Sequence, residues 1–364
     1  SPGLRWSIAL LRSSGFGVDG IRTLQIVLLS GVAAIAGAIA NRLSGMTAAV
    51  VAAILVLGSK AALVNATDLE PEIFLLFFSA VGLLLAMEDR QSCLSGQAGL
   101  PVLHTAAGLS FGLATAYRPV ALLAAAALFV WFMVRRVKPI FFAIGFIVPV
   151  LAVLLVNRAM TGSMLLMDPG TVFYEGMNAN ATGYAGVAPR IVKDIEQTIP
   201  GSDTMHVAYR VVASRAMRRP VTREEANRYW SQKSLAFVTT YPIRAITLVL
   251  RKIRLLVSAH DAYDVPSMVL KDRSIGGLWI SWALLVPLAL YGIADRRSQI
   301  AVLLYSLCAA ASPIVFFVTT RHRLPLLLGL ALLGSIGGVA LIERRAYVAG
   351  GLIVLAAVVL SILC

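Results

Sequence analysis

Long apolar runs separated by short polar breaks dominate the chain. A helix that crosses a bilayer needs about 17–25 mostly apolar residues, and many of the runs have this length. Residues 1–17 differ, since Arg5, Trp6 and Arg12 stand among Leu and Ile and favour an amphipathic helix at the membrane interface. The pattern predicts about ten spans, near residues 22–41, 46–64, 72–88, 100–117, 119–135, 139–157, 274–293, 299–318, 325–342 and 347–363.

One long segment, residues 158–273, interrupts this series and divides the chain into parts 1–157, 158–273 and 274–364. Loops longer than about 15 residues usually carry structure or function of their own. A polar helix is predicted over 222–232, and residues 231–258 interleave apolar positions with cations, which favours one or two helices on the membrane surface. An eleventh span is the alternative, but four cations within about eleven residues of that stretch, 244–254, would be costly inside a bilayer.

Composition agrees with a membrane protein: 59% of the residues are apolar, 14% are charged and the mean hydropathy is +0.82. Soluble domains average about 45–50% apolar and about 25% charged residues, so a water-soluble enzyme is excluded. The predicted fold class is therefore all-α, a polytopic bundle of transmembrane helices. The net charge of +14 is spread along the chain, so it indicates membrane topology and not a nucleic-acid partner.

Short-loop cations predict the orientation, because Lys and Arg concentrate on the cytoplasmic side. One set has nine members, and the opposite set has four, so we assign the larger set to the cytoplasm and the segment 158–273 to the outer face. The Ala- and Arg-rich composition favours a bacterial inner membrane. The first set is Arg42, Arg90, Arg135, Arg136, Lys138, Arg296, Arg297, Arg344 and Arg345, and the second is Arg118, Arg321, Arg323 and Lys60.

Three carboxylates, Asp68, Glu70 and Glu72, stand together on the predicted outer face just before a span. Clustered acids repel one another unless they share a proton, a metal or another cation. This predicts a functional cluster of acids that shares a cation, a metal or a proton. The alternative is a solvated loop whose acids lie near a helix N-terminus, where the helix dipole favours them.

Cations on the same face form the second candidate group, which would bind the phosphate of a lipid. A guanidinium can hold a phosphate through two hydrogen bonds. Snorkelling from helix ends is the alternative for each of them. The candidates are Arg118, Arg321, Arg323 and, just inside the predicted helix 46–64, Lys60.

Several stretches, in order along nearly the whole chain, resemble integral-membrane glycosyltransferases with a GT-C fold, specifically the protein O-mannosyltransferase and aminoarabinose-transferase group. Each stretch is weakly specific by itself. The most informative are an acid-before-helix signature and a Gly-Leu-Ala turn that ends in Arg-Pro. The stretches are Gly17–Gln25, Leu69–Phe74, Gly112–Pro119, Asn157–Gly162, Val172–Asn178, Tyr241–Pro242, Arg251–Lys252 and Arg321–Pro325.

The resemblance implies transfer of a sugar from a polyprenyl-phosphate donor to an acceptor (protein, lipid or glycan) on the outer side, with inversion. It implies carboxylate catalysis by Glu72, Asp68 and Glu70, often helped by a divalent metal for which Glu72 is the candidate ligand. Arg118, Arg321 and Arg323 fall where the family holds the lipid phosphate. Within the long segment, the candidate substrate contacts are Tyr174, Asn178, His260 and Asp261.

The family's first span and the leading acidic motif of its first outer loop have no counterpart here, so we expect Ser1 to fall late in that loop and these residues alone to be inactive. A polyprenyl-lipid flippase or a secondary transporter is the alternative from another class. Transporters usually show internal repeats and charged groups near the midplane of the membrane, and neither is evident. An O-antigen ligase-like enzyme is a further alternative, because it would share the large outer loop.

Overall fold

The computed structural model describes residues 2–88, 100–199, 204–277, 279–295 and 300–362. Within these residues the chain forms eighteen helices and no strand, so the all-α prediction is confirmed. The first half holds α1 Pro2–Ser13, α2 Val18–Leu57, α3 Lys60–Ala66, α4 Glu72–Met87, α5 Leu100–Tyr117, α6 Ala121–Val134, α7 Ile140–Thr161, α8 Pro169–Gly176 and α9 Arg190–Glu196. The second half holds α10 Met205–Met217, α11 Arg223–Thr240, α12 Pro242–Val257, α13 Pro266–Ser274, α14 Trp282–Ile293, α15 Ile300–Val315, α16 Thr320–Arg323, α17 Leu326–Glu343 and α18 Tyr347–Ile362.

Three of the described helices, α2, α7 and α17, are long and apolar enough to cross a membrane. Five shorter apolar helices accompany them: α4, α6, α14, α15 and α18. Such helices indicate a protein embedded in a membrane, because their exposed surfaces carry large apolar side chains that water would not solvate. The count of about ten spans stays a prediction.

Two predicted spans have wrong boundaries. The span 46–64 ends at Leu57 instead, because Gly58 closes the helix and the Ser59 hydroxyl accepts a hydrogen bond from the backbone N–H of Ala62, which starts a new helix. Lys60 is therefore the first residue of α3 and not an inward position of a longer helix. The break predicted between residues 41 and 46 is confirmed by non-helical backbone at Ser44 and Gly45, where Gly45 has φ +81°.

The predicted span 274–293 begins too early, since its helix, α14, starts at Trp282. Ser281 caps this helix by accepting a hydrogen bond from the backbone N–H of Ala283. Just before it, the N–H of Ile280 donates to the carbonyl of Gly58 at 2.8 Å, which holds the chain in a non-helical connection. A hydropathy window cannot detect such a connection, because residues 275–280 are apolar or Gly, like the helix that follows them.

The described chain divides into two compact units. The first comprises Ser1–Val153, Val257–Ala311 and Thr320–Cys364, apart from the residues left undescribed, and the second comprises Leu154–Leu256 and Ser312–Thr319. Residues 257–273, which the sequence analysis joined to the long outer segment, belong to the first unit. The predicted polar helix over 222–232 is present as α11, which begins with a capping box between Thr222 and Glu225.

Small residues allow the helices of the first unit to approach closely. A Cβ atom at Gly108 of α5 would meet the carbonyl oxygen of Phe142 in α7, and one at Gly145 would meet that of Thr105. Close approach of this kind is typical of helices packed within membranes, where association depends on van der Waals packing and small side chains let the backbones come close.

The sequence assigned two sets of cations to opposite membrane faces. In the structure, the described members of the two sets lie at opposite ends of the apolar helices. Glu72 begins α4, and Glu88, just after its other end, pairs with Arg42 at 2.5 Å. A helix of this length spans about 24 Å. Arg344, which follows α17, pairs with the buried Asp295 at 2.8 Å. Arg90, Arg296 and Arg297 of the larger set lie outside the described residues.

Candidate functional site

A buried ion pair stands where α4 begins and α5 ends. Glu72 is the first residue of α4 and has 1% of its side chain exposed, and its Oε1 accepts a hydrogen bond from Nη2 of Arg118. Arg118 directly follows α5 and keeps 24% of its side chain exposed. A buried carboxylate is costly without a charged partner. The ion pair with Arg118 therefore explains why the Glu72 side chain can be buried.

Arg321 of α16 brings two more carboxylates to the same place. Its Nη1 donates to Glu70 Oε1 at 3.2 Å and its Nη2 donates to Asp264 Oδ2 at 2.7 Å. Glu70 also interacts electrostatically with both Glu72 and Arg118. The five residues form what we call the carboxylate–guanidinium cluster: Glu70, Glu72, Asp264, Arg118 and Arg321.

Burial and the neighbouring charges shift the pKa values of Glu70 and Arg321 within the cluster. Desolvation and then the negative charge of Glu72 raise the pKa of Glu70, although Arg321 and Arg118 act in the opposite direction. Burial disfavours the charged form of Arg321, but the surrounding carboxylates outweigh it and raise its pKa, so this residue stays cationic. The pKa of Glu70 is therefore raised toward neutral pH, and the permanently charged guanidinium of Arg321 lies beside it.

His322 is partly buried next to the cluster. Burial, followed by the positive charges of Arg118 and Arg321, lowers the pKa of its imidazole well below the usual value of 6.5. The ring is therefore neutral at pH 7, and it adds no third positive charge to the two guanidiniums.

Two residues of the site were missed by the sequence analysis as site residues. Gln25 of α2 is fully buried, and its Nε2 donates to the carbonyl oxygen of Glu70 at 2.9 Å, which fixes the backbone of the acid. Asp264 lies near the C-terminal end of the segment 158–273 and accepts a hydrogen bond from Arg321. Gln25 had a signal, because it ends one of the stretches that resemble the glycosyltransferases, whereas Asp264 had none.

Several polar atoms at the site are buried and have no hydrogen-bond partner among the described residues. They are Oε2 of Glu72, Oδ1 of Asp264, Oε1 of Gln25, Oγ1 of Thr320 and Nε of Arg321. Buried polar groups are normally satisfied by protein, water or ligand. Three of the five atoms are carboxylate or amide oxygens, which accept hydrogen bonds from hydroxyl groups, and Arg321 Nε is a donor, so the site suits a ligand that carries both hydroxyls and acceptor oxygens.

An open cleft of about 430 Å³ lies beside the cluster. Asp264, which binds Arg321, is one of its lining residues, and the others are apolar or aromatic: Tyr263, Val265, Pro266, Val269 and Leu270. A mostly apolar cleft next to paired charges can take a molecule with a hydrocarbon part and a charged part.

Asp68 and Lys60 are not in the cluster, because both are paired with α13. Asp68 accepts a hydrogen bond from the Ser267 hydroxyl at 2.6 Å and lies 3.4 Å from Lys271 Nζ. Lys60 Nζ lies 3.0 Å from Asp272. These ion pairs bind α13 to the segment around α3, which makes them contacts between structural elements.

Arg323 also points away from the cluster. Its side chain is 1% exposed, and its guanidinium donates to the carbonyl oxygens of Ser258 and His260, at 3.0 and 2.8 Å, and to the carboxylate of Asp261. The guanidinium lies over the ring of Trp282, 4.7 Å from the centroid. His260 and Asp261 are thus brought to Arg323, and a role for any of the three in substrate binding stays a prediction.

Tyr174 and Asn178 lie in the second unit. The Asn178 side chain donates to the carbonyl oxygens of Tyr174 and Val187, at 2.7 and 3.2 Å, and accepts from the N–H of Asn180 at 2.8 Å. Tyr174 packs against Trp230 with ring centroids 4.7 Å apart. Asn178 therefore organises the local backbone, and substrate contacts by these two residues stay a prediction.

The donor set does not fit a divalent metal. Among the described residues no three His, Cys, Asp or Glu side chains are grouped so that they could hold a metal ion. In the cluster, Glu72 faces Arg118, and both Glu70 and Asp264 face Arg321. Each of these carboxylates is already paired with a guanidinium, so the cluster does not fit a divalent metal and we assign none to Glu72.

We expect Asp68→Asn to destabilise the folded protein by about 1 kcal/mol, measured as a lower Tm in detergent at pH 7. Burial acts to raise the pKa of Asp68, but hydrogen bonds from Ser267 and the Leu69 N–H and the charge of Lys271 outweigh it and lower the pKa below 3.8. Stability from such a group is present above its unfolded-state pKa and is lost as the pH falls through its folded-state pKa. The difference between variant and wild type should therefore begin to shrink near pH 3.8 and continue to shrink as the pH falls further, and a difference that does not depend on pH in this range would contradict the assignment.

Comparisons of the chain with protein-family models, with curated proteins and with solved structures found no match. The resemblance to GT-C glycosyltransferases therefore depends on the sequence stretches described above.

Proposed function

We propose that the protein is a membrane glycosyltransferase that moves a sugar from a polyprenyl-phosphate donor to an acceptor hydroxyl at the end of the bundle that carries the carboxylate–guanidinium cluster. The distribution of the short-loop cations supports an outer location for that end, in a bacterial inner membrane. The observation that carries the proposal is the convergence of Glu70, Glu72 and Asp264 with Arg118 and Arg321 beside an apolar cleft.

The reaction needs both kinds of charge. The acceptor oxygen attacks the anomeric carbon of the sugar, its proton passes to a carboxylate, and the bond between that carbon and the phosphate oxygen breaks with inversion. The electron pair of the broken bond leaves with the polyprenyl phosphate. A carboxylate that takes the proton as the new bond forms acts as a general base, and guanidiniums stabilise the charge that develops on the departing phosphate.

We assign the proton transfer to Glu70 and the support of Arg118 to Glu72. Glu70 retains 19% exposure, whereas Glu72 is buried beneath Arg118. A general base works best with a pKa close to the working pH, and the pKa of Glu70 is raised. Arg118 and Arg321 are the phosphate ligands, and the apolar cleft beside Asp264 is suited to the first part of the lipid chain.

We expect Arg118→Ala to raise the KM for the donor about 10- to 100-fold, because hydrogen bonds to a charged group contribute about 1.5–3 kcal/mol and each 1.4 kcal/mol is a factor of ten. The full-length protein would be reconstituted in proteoliposomes with labelled polyprenyl-phosphate-mannose or polyprenyl-phosphate-aminoarabinose and a membrane extract as acceptor. Transfer of the label out of the lipid fraction is the measurement.

Arg42→Ala is the matched control, since Arg42 pairs with Glu88 at the other end of α4. It should leave the donor KM unchanged. Equal KM values for Arg118→Ala and wild type would remove Arg118 from phosphate binding. Movement of the labelled lipid between leaflets with its sugar still attached would instead identify a flippase and reject the enzyme.

A further inference from the structure

Helix α12 of the second unit has one face buried against its own unit. Ala245, Leu248, Lys252 and Leu256 lie on this face, which packs against a small core that includes Met177. Lys252 is fully buried, and its Nζ donates to the carbonyl oxygen of Val315 at 3.1 Å. The orientation of α12 within the unit is therefore fixed by packing and by one buried hydrogen bond.

The outward side of α12 is apolar. Ile243, Ile246, Leu250 and Ile253 follow one another at intervals of three and four residues, which places them in one stripe. All four are exposed, Ile243 by 74% and Leu250 by 61%. Burying such side chains stabilises a protein, so a continuous exposed stripe marks an interaction surface.

Three arginines border the stripe on one side only. At about 100° per residue, Arg244, Arg251 and Arg254 fall along one edge, between the stripe and the buried face. All three are exposed, and among the described residues none of them forms an ion pair with a carboxylate. Residues 226–260, which include α12, contain six Lys and Arg and no Asp or Glu.

We propose that α12 lies on a bilayer surface that contains anionic lipids, with the apolar stripe at the level of the upper acyl chains and the three arginines bound to lipid phosphates. A bilayer offers an apolar layer and a layer of phosphates side by side, which matches the stripe and its cationic edge. The helix is about 24 Å long. Four cations along this length, one of them held inside the unit, oppose its insertion as a span. The inference does not depend on the proposed enzyme activity.

Spin labels on the full-length protein test the location. Native cysteines would be replaced by serine, and labels placed at Ile246→Cys and Leu250→Cys in vesicles of phosphatidylcholine and phosphatidylglycerol. We expect collisions with oxygen to exceed those with a water-soluble nickel complex, at a depth of about 5–10 Å. A label at Ala216→Cys, exposed in the same unit, should show the reverse ratio.

Three results would overturn the location. Nickel collisions as frequent as at Ala216→Cys would show a helix in water. Protection from both reagents would show that a protein, such as a second copy of the chain, covers the stripe. A depth near the bilayer centre would show an additional span.

The anionic part is tested with Arg244→Gln, Arg251→Gln and Arg254→Gln combined. Native mass spectrometry of protein released from nanodiscs of equal phosphatidylcholine and phosphatidylglycerol measures which lipid is retained. We expect the preference for phosphatidylglycerol to fall by about fivefold per arginine. The matched control combines Arg190→Gln, Arg215→Gln and Arg218→Gln, three exposed arginines of the same unit. An unchanged preference in the first variant, or an equal loss in the control, would overturn the role of the arginine edge.

Discussion

Glu70→Gln should lower kcat for sugar transfer by about 10²- to 10⁴-fold, the usual contribution of a general base. The amide is close in size to the carboxyl group but cannot accept the proton of the acceptor hydroxyl. Arg118 and Arg321 remain, so the KM for the donor should change much less than kcat. Glu70→Asp, which keeps a base on a shorter side chain, should recover part of the rate.

The pH profile separates this role from a structural one. Only the deprotonated Glu70 can act as a base, so kcat/KM should fall as the pH is lowered through the pKa of this group. Burial and the charge of Glu72 raise that pKa above 4.5, the ordinary value for a glutamate. The fall in kcat/KM should therefore occur at a pH above 4.5. In Glu70→Gln this limb of the profile should be absent.

Glu88→Gln supplies the control, because Glu88 also flanks α4 and also pairs with an arginine, at the end away from the cluster. It should keep wild-type kcat and the wild-type pH profile. Full activity in Glu70→Gln would move the base to another carboxylate, with Glu72 and Asp264 as the next to test. A loss that Glu88→Gln reproduces would mean that an ion pair at either end merely stabilises α4.

Helix positions in this chain were predictable where apolar character changes abruptly. The helix predicted over 72–88 runs from Glu72 to Met87, and the one predicted over 100–117 runs from Leu100 to Tyr117. The connection before Trp282 was not predictable, since it depends on a backbone hydrogen bond from Ile280 to the distant Gly58. Hydropathy reports the solvent that surrounds a helix and not a contact between residues far apart in sequence.

The same limit applies to the candidate site. The sequence placed Glu70, Arg118 and Arg321 in loops on one predicted face, and the structure brings them into one cluster. The sequence could not show that Asp68 instead binds Ser267 and Lys271. Nor could it show that Asp264 reaches Arg321. Which carboxylate meets which guanidinium depends on the packing of α13 and α16, and each of these helices has fewer than ten residues.

Arg321 and Arg323 show how two residues of one motif can have different surroundings. Arg321 lies in the cluster between two carboxylates and has 22% of its side chain exposed. Arg323, two positions later, is buried and binds Asp261 and the carbonyl oxygens of Ser258 and His260. Arg321 keeps part of its side chain exposed, so a lipid phosphate can approach it from solvent, whereas at Arg323 it would have to displace three partners. We therefore propose Arg321 as the phosphate ligand of the two.

Arg323→Met should destabilise the folded protein by about 3–5 kcal/mol, the cost of breaking a buried ion pair by removing one partner. Methionine fills much of the space over Trp282, but it leaves the Asp261 carboxylate and two carbonyl oxygens without their donor. A strongly reduced Tm in detergent and a low yield of folded protein are the expected measurements. Arg321→Met, by contrast, should retain most of the stability and lose binding of polyprenyl phosphate.

The double variant Arg323→Met with Asp261→Asn identifies the cause of the loss. Removing both charged partners avoids the uncompensated carboxylate, so the double variant should be more stable than Arg323→Met alone, although the two carbonyl oxygens still lack donors. If Arg323→Met kept the wild-type Tm and lost binding of polyprenyl phosphate, Arg323 would be a phosphate ligand after all. A double variant no more stable than the single one would show that the carbonyl oxygens and the contact with Trp282, and not the pair with Asp261, make Arg323 necessary for folding.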